Sequence, residues 1–167
     1  MCNQAFVDGQ NLYMNTRENS WTVDLIKFRR YLAEKFNVVK AYYFLGAIDE
    51  QNQGLYELIQ TAGFIIVFRE HSQHMRGKKK GNVDTDIVFT IMSKLIDDDE
   101  LGQVLLVSGD GDYFKMVEYL IEKHRLCKLL APNRHSTSSL YRRLEPKYRM
   151  FLDDPAVKKK IAYRKAG

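Results

Sequence analysis

The sequence predicts a single α/β domain built on a central parallel sheet of about five strands, with helices on both faces. Short apolar runs alternate with stretches of helical period from end to end, the pattern of strand–helix–strand units. The runs are continuously apolar, as in Val104-Leu105-Leu106-Val107, which marks strands buried on both sides. The 167 residues amount to about one domain of roughly 150, and 45% apolar residues suffice to fill one core.

In chain order, Ala5-Phe6-Val7 reads as a strand that stops at Asp8, and Leu12 to Trp21 as a loop. Thr22 is placed as the cap of a helix reaching Phe36, because Leu25, Phe28, Leu32 and Phe36 recur at the 3.6-residue period. β-Branched and aromatic residues make Val38 to Leu45 a strand, and Glu50 to Ala62 is a helix stopped by Gly63. Phe64 to Phe68 follows as a strand, then Arg69 to Asn82, with no apolar period, as a loop. Val83 to Ile96 returns to helix with Ile87, Val88, Ile91, Met92 and Leu95 inward. Val104 to Val107 is a strand, Tyr113 to Lys123 a helix burying Phe114, Val117, Leu120 and Ile121, and Leu126 to Ala131 a strand ended by Pro132. Leu140 to Leu144 and Pro155 to Tyr163 read as short helices, so residues 1–152 form the domain and 153–167 a basic helical tail.

Composition narrows the function. The longest apolar stretch, Phe64 to Phe68, is far short of the roughly 18 residues of a membrane helix. Met1-Cys2-Asn3-Gln4 has neither the basic nor the apolar region of a secretory leader. Cys2 and Cys127 cannot make the several bridges of a small secreted domain, so a soluble protein of the reducing cytoplasm is expected. The net charge is +5, but nine basic and three acidic residues from Arg142 onward leave the rest of the chain at −1. A basic end on a neutral body favours a polyanionic partner.

In an open parallel sheet, ligands bind outside the carboxyl ends of the strands. Asp8 follows the first strand, Asp110 and Asp112 follow the fourth in Val107-Ser108-Gly109-Asp110-Gly111-Asp112, and Asp84 opens the helix after the long loop. Any one of them is most simply a helix cap. Four delivered to one rim repel one another unless a cation neutralises them, and hard oxygen donors favour Mg²⁺ or Mn²⁺. Gly109 and Gly111 are expected to let the backbone approach a ligand or to turn with positive φ.

Competing motifs fail. Gly109 to Phe114 is GxGxxF, not the dinucleotide GxGxxG, and its two carboxylates would repel a pyrophosphate, so no nucleotide cofactor is expected. Gly77 to Gly81 lacks the order of a P-loop. His71 and His74 have the spacing of half a zinc site without further ligands. Asp84-Thr85-Asp86 opens a helix instead of ending a strand, unlike the acid pair of phosphoaspartate phosphatases.

Three blocks, Phe6-Val7-Asp8-Gly9-Gln10-Asn11-Leu12, Lys80-Gly81-Asn82-Val83-Asp84 and Val107 to Phe114, in this order and spacing, resemble the NYN domain of LabA-like proteins, a branch of the PIN-like nuclease group, over about residues 4 to 152. The resemblance implies a Rossmann-like PIN fold and a ribonuclease that hydrolyses RNA phosphodiester bonds at an Mg²⁺ or Mn²⁺ site. It implies Asp8, Asp84, Asp110 and Asp112 as metal-binding acids, with Asn11 and Ser108 as supporting positions. Many members carry a further acid two turns into the following helix, where this chain has Thr90 and Ile91. Asp86 lies about 200° from Asp84 around a regular helix, which leaves one or two metals open. The runner-up function is an RNA-binding or regulatory NYN module of weak catalysis, and the third a small-molecule phosphatase. Self-association into a homo-oligomer is left open.

Carboxylates alone repel RNA, so attraction is assigned to Arg76, Lys78, Lys79 and Lys80 of the loop and to Arg142 and Arg143, with Lys147 and Arg149 beside them. Tyr13 is placed to stack on unpaired bases, and Trp21 either to stack likewise or to staple the next helix. Replacing Lys78, Lys79 and Lys80 together by Ala is expected to weaken RNA binding alike for all sequences. Each lost phosphate contact should lower the slope of log affinity against log salt by about 0.7 on single strands. An unchanged slope in a salt titration of the triple variant would exclude the loop as the route of entry.

Overall fold

Side chains alternate along a strand, and in the first strand, β1 (Cys2–Asp8), Ala5 and Val7 enter one apolar cluster while Phe6 enters another on the opposite face. The same holds for β4 (Leu101–Val107), where Leu105 and Val107 face one way and Leu106 the other. These strands can only be the centre of a sheet covered on both sides. The computed structural model describes residues 1–69 and 83–165, and its sheet runs β3-β2-β1-β4-β5-β6 with every pairing parallel. The other strands are β2 (Val38–Leu45), β3 (Ile65–Phe68), β5 (Leu126–Ala131) and β6 (Arg149–Phe151). The three-residue β6 is additional to the five strands expected, and is too short for a period to register.

On one face lie α1 (Gly9–Arg17), α2 (Leu25–Phe36), α3 (Gln53–Thr61) and α6 (Pro155–Ile161), burying Leu12, Phe28, Leu32, Ile59 and Ile161. On the other lie α4 (Val83–Asp97) and α5 (Phe114–Glu122), burying Ile87, Ile91, Val117 and Leu120. The inward residues expected for α2, α4 and α5 are thus buried or packed against the core. α6 docks on α2 through Ile161, and Val23 forms an antiparallel bridge with Ala162. No helix among the described residues is long and apolar enough to cross a membrane.

Two local expectations are corrected, and the two readings of Trp21 are separated. Residues 12–17 are helical, because the Asp8 carboxylate accepts the Asn11 amide at 3.1 Å and starts α1 directly after β1. With Leu12 its main apolar anchor, α1 has too little stripe to betray a helix. The next helix is capped by Asp24, not Thr22, because the Thr22 carbonyl accepts the Tyr163 amide and Val23 is drawn into the bridge with Ala162. Trp21 is buried under the Lys158 ammonium, 5.2 Å from its ring centre, which fits packing beside α2 and not stacking on a base.

Gly9 is required by contact. A Cβ there would lie 2.4 Å from the Tyr43 ring and 2.7 Å from the Phe44 carbonyl oxygen, so only glycine lets α1 sit this close to β2. Gly9→Ala is expected to destabilise the fold by about 1–3 kcal/mol through forced backbone shifts. Gly54→Ala, in the first turn of α3 with nothing within 4 Å of its Cβ, should be neutral or slightly stabilising. Urea unfolding of the two variants checks the contrast.

Candidate active site

Strand order reverses between β1 and β4, and the crevice outside the carboxyl ends of these neighbours is where such sheets bind ligands. β1 ends on Asp8. β4 runs into Ser108 and the turn Gly109-Asp110-Gly111-Asp112, and α4 brings Asp84 in its first turn. One oxygen from each of Asp84, Asp110 and Asp112 lies within 4.8 Å of the others. Asp84 is buried, Asp110 half-buried and Asp112 exposed, so the cluster opens to solvent on one side.

Asp8 joins them through Tyr113. This tyrosine is fully buried, and its hydroxyl lies 3.0 Å from Oδ2 of Asp8 and 2.8 Å from Oδ1 of Asp84. A phenol has one proton to donate, so it serves one ionised carboxylate at a time, and both contacts are met together when one carboxyl keeps its proton. Burial, reinforced by the charge of Asp110, raises the Asp8 pKa above the ordinary carboxylate range, against hydrogen bonds from Asn11 and Tyr113 that lower it. Burial and the two carboxylates drive the Tyr113 hydroxyl far upward, which keeps it a donor.

The turn itself is tightly held. Asn11 Oδ1 accepts the Gly109 amide at 2.9 Å, Ser108 Oγ accepts the Asp110 amide at 3.1 Å, and Asp110 Oδ1 accepts the Asp112 amide at 3.0 Å. The Tyr141 hydroxyl donates to the Asp110 carbonyl, and the Ser138 amide to the Gly109 carbonyl at 2.9 Å. A Cβ on Gly109 would lie 3.1 Å from Thr137 Oγ1, and one on Gly111 2.5 Å from Ser138 Oγ. These glycines therefore admit the 137–138 segment; neither has the positive φ that the sequence offers as one reason for glycine there. The cap role is real for Asp8 and Asp110, and coexists with their place at the rim.

The donor set suits a hard divalent ion. Carboxylate oxygens at about 2.0–2.1 Å from Mg²⁺ lie up to about 4 Å apart, so Asp84, Asp110 and Asp112 need only small side-chain rotations to hold one. Asp86 lies outside this group. Thr90 donates its hydroxyl to the Asp86 carbonyl at 2.7 Å, and Ile91 is core, so neither replaces the family's further acid.

The expected RNA contacts are dispersed. Tyr13 is exposed on α1, with the Arg17 guanidinium over its ring. Arg142 is exposed, while Arg143 lies 3.8 Å from Glu118 and over the Phe114 ring. Arg76, Lys78, Lys79, Lys80, His71 and His74 lie outside the described residues. The sequence marks Tyr113 only as the start of a helix. Its signal was a tyrosine directly after the acidic turn at a core position where phenylalanine would pack as well, because a buried hydroxyl needs a polar partner.

Residues 4–149 match the NYN domain family. The chain belongs to the NYN domain family. Low amplitude and bright protein LabA of Synechococcus elongatus is 28% identical over 127 residues, which are 71% of this chain and 67% of LabA. A crystal structure of a protein of unknown function, VPA0982 from Vibrio parahaemolyticus, shares the fold with a TM-score of 0.73 and 24% identity, over 96% of this chain and 95% of that one. The NYN assignment and the likeness to LabA support a nuclease-related role, and the acids of the motif are those that meet at the switch point of the sheet.

Asp8 generates a pH test in this NYN domain. A carboxyl whose folded pKa is raised above its unfolded value, about 3.9, stabilises the fold relative to ionised Asp only while protonated. Its contribution is full below the unfolded pKa and is lost as pH rises through the folded one. Asp8→Asn keeps a good helix cap and removes the ionisation. In chelator, the urea midpoint of Asp8→Asn should therefore gain on the parent as pH rises from the acid range to neutrality. A difference independent of pH would refute the raised pKa.

Proposed function

We propose that this protein is a ribonuclease that hydrolyses RNA phosphodiester bonds with a divalent metal, Mg²⁺ or Mn²⁺, held by Asp84, Asp110 and Asp112, with Asp8 completing the acidic site. The observation that carries this is the convergence of three carboxylate oxygens within 4.8 Å at the switch point of an NYN fold. A divalent ion bound there supplies activation of water and neutralisation of charge on the phosphate.

The chain's own residues do the rest. Tyr113 keeps Asp8 and Asp84 apart yet fixed in one arrangement. Asn11 and Ser108 hold the backbone of the turn that carries Asp110 and Asp112, so that it stays in place as substrate arrives. The exposed side of the cluster, at Asp112, is where a phosphate can approach. RNA is the partner, drawn in by basic groups outside the cluster and by Tyr13 as a stacking platform. The presence of Thr90 and Ile91 in place of a further acid favours the second reading, an RNA-binding module with little turnover.

Incubation of mixed RNAs with Mg²⁺ or Mn²⁺, with and without chelator, separates the two. Metal-dependent cleavage is expected, with Asp110→Asn slower by at least about a hundredfold and still folded, since Asn also caps. Binding without cleavage in any metal would give the second reading. Equal cleavage by Asp110→Asn would remove the site from the reaction.

A further inference from the structure

A cavity of about 630 Å³ adjoins the acidic turn on the β5–β6 side, and three guanidiniums, Arg134, Arg142 and Arg149, line it together with the hydroxyl residues Thr137 and Ser138. One carboxylate, Asp154, offsets them, paired with Arg134 at 2.6 Å. Arg134 is further held 4.1 Å over the Phe151 ring. Arg149 commits one N–H to the Tyr141 carbonyl at 3.1 Å, leaving four of its five donors. Arg142 has no ion pair or hydrogen bond through its guanidinium among the described residues, although it lines the cavity. Excess positive charge with free forked donors is the chemistry that recognises a phosphate.

The cavity and the carboxylates share a wall. Ser138 and Thr137 line the cavity and back directly onto Gly111 and Gly109, and Tyr141 lines it while its hydroxyl holds the Asp110 carbonyl. A strand crossing the carboxylates on this side would bring a phosphate to Arg142 and Arg149. Leu129, Met150 and Pro146 supply apolar lining, and the volume leaves room for an attached nucleoside.

We propose that this cavity is a phosphate subsite for the RNA strand, with Arg142 and Arg149 as its ligands and Arg134 as a fixed, partly neutralised flank. The assignment rests on the nuclease reading for the identity of the strand, and singles out Arg142 from its neighbour Arg143, whose charge is turned to Glu118. Arginines and hydroxyls in the lining read phosphate oxygens, so the subsite holds the strand without selecting bases.

The test uses the full chain carrying Asp110→Asn, in chelator, so that binding is measured without cleavage. A labelled single-stranded RNA oligonucleotide is titrated by fluorescence anisotropy at several salt concentrations. Adding Arg142→Ala should weaken binding by about tenfold or more and lower the salt slope by about 0.7. Arg142→Lys should recover the slope but only part of the affinity, because it keeps the charge and loses the fork. Lys159→Ala, an exposed α6 residue outside the cavity, controls for loss of one charge and should stay within about twofold of the parent. Repeating the titration with 5′-phosphorylated and 5′-hydroxyl oligonucleotides identifies the source. A preference for the phosphorylated end that disappears in Arg142→Ala assigns a terminal phosphate, and no preference with the slope change intact assigns an internal phosphodiester. Equal affinity and slope for Arg142→Ala and Lys159→Ala would overturn the subsite. Loss of affinity in Arg142→Ala alongside a parent that cleaves nothing would leave the subsite standing and defeat the nuclease reading instead.

Discussion

Mutual repulsion of carboxylates at the switch point between β1 and β4 is the constraint on which the rest of this molecule depends. Asp8 and Asp84 are buried there, with Asp110 beside them and Asp112 at the mouth. Desolvated like charges at such separations oppose folding. The Tyr113 hydroxyl, wedged between Asp8 and Asp84 at 3.0 and 2.8 Å, gives the two inner carboxylates a shared donor and a fixed spacing. Burial and the charge of Asp110 raise the Asp8 pKa there, against the Tyr113 hydrogen bond, which lowers it.

The surrounding polar contacts make sense as a frame for that cluster. Asp8 is at once a helix cap and a rim acid, so α1 cannot shift without moving a carboxylate. Asn11, one turn later in α1, reaches across to the Gly109 amide and ties this helix to the end of β4. Behind the turn, the 137–141 segment presses against Gly109 and Gly111 and holds the Asp110 carbonyl. A site supported from three separate chain segments is preorganised in the sense that catalysis by positioned charge requires. It also links the carboxylates to the arginine-lined cavity through shared backbone, so that the proposed metal site and the proposed phosphate subsite fall on neighbouring surfaces.

Much of this was legible in the chain. Continuous apolar strands and the 3.6-residue stripes of α2, α4 and α5 carry their own signal, because burial on one face or two is written directly into periodicity. The acids at strand ends were legible for a topological reason: in parallel sheets all carboxyl ends share one rim, so Asp8 and Asp110 lie on that rim once β1 and β4 are strands, while the strand order makes them neighbours. By contrast α1 has one strong apolar anchor, and β6 is three residues long. Neither reaches the length at which a period can be counted, and each forms because tertiary packing supplies what local sequence lacks.

What the sequence by itself determined is the set of partners at the rim: a parallel sheet, four aspartates brought toward its carboxyl edge, and the NYN pattern that joins them. Only the tertiary structure decided how those groups divide their roles. It placed Asp84, Asp110 and Asp112 around one point and withdrew Asp8 behind Tyr113, turned Arg143 to Glu118 while leaving Arg142 over a cavity, and buried Trp21. The physical reason is that periodicity and topology act on whole elements, whereas the direction of a side chain and the protonation of a carboxyl depend on groups far apart in the chain. Tyr113 and Asp8 are 105 residues apart, and no local pattern records that a buried phenol will find its acceptors there.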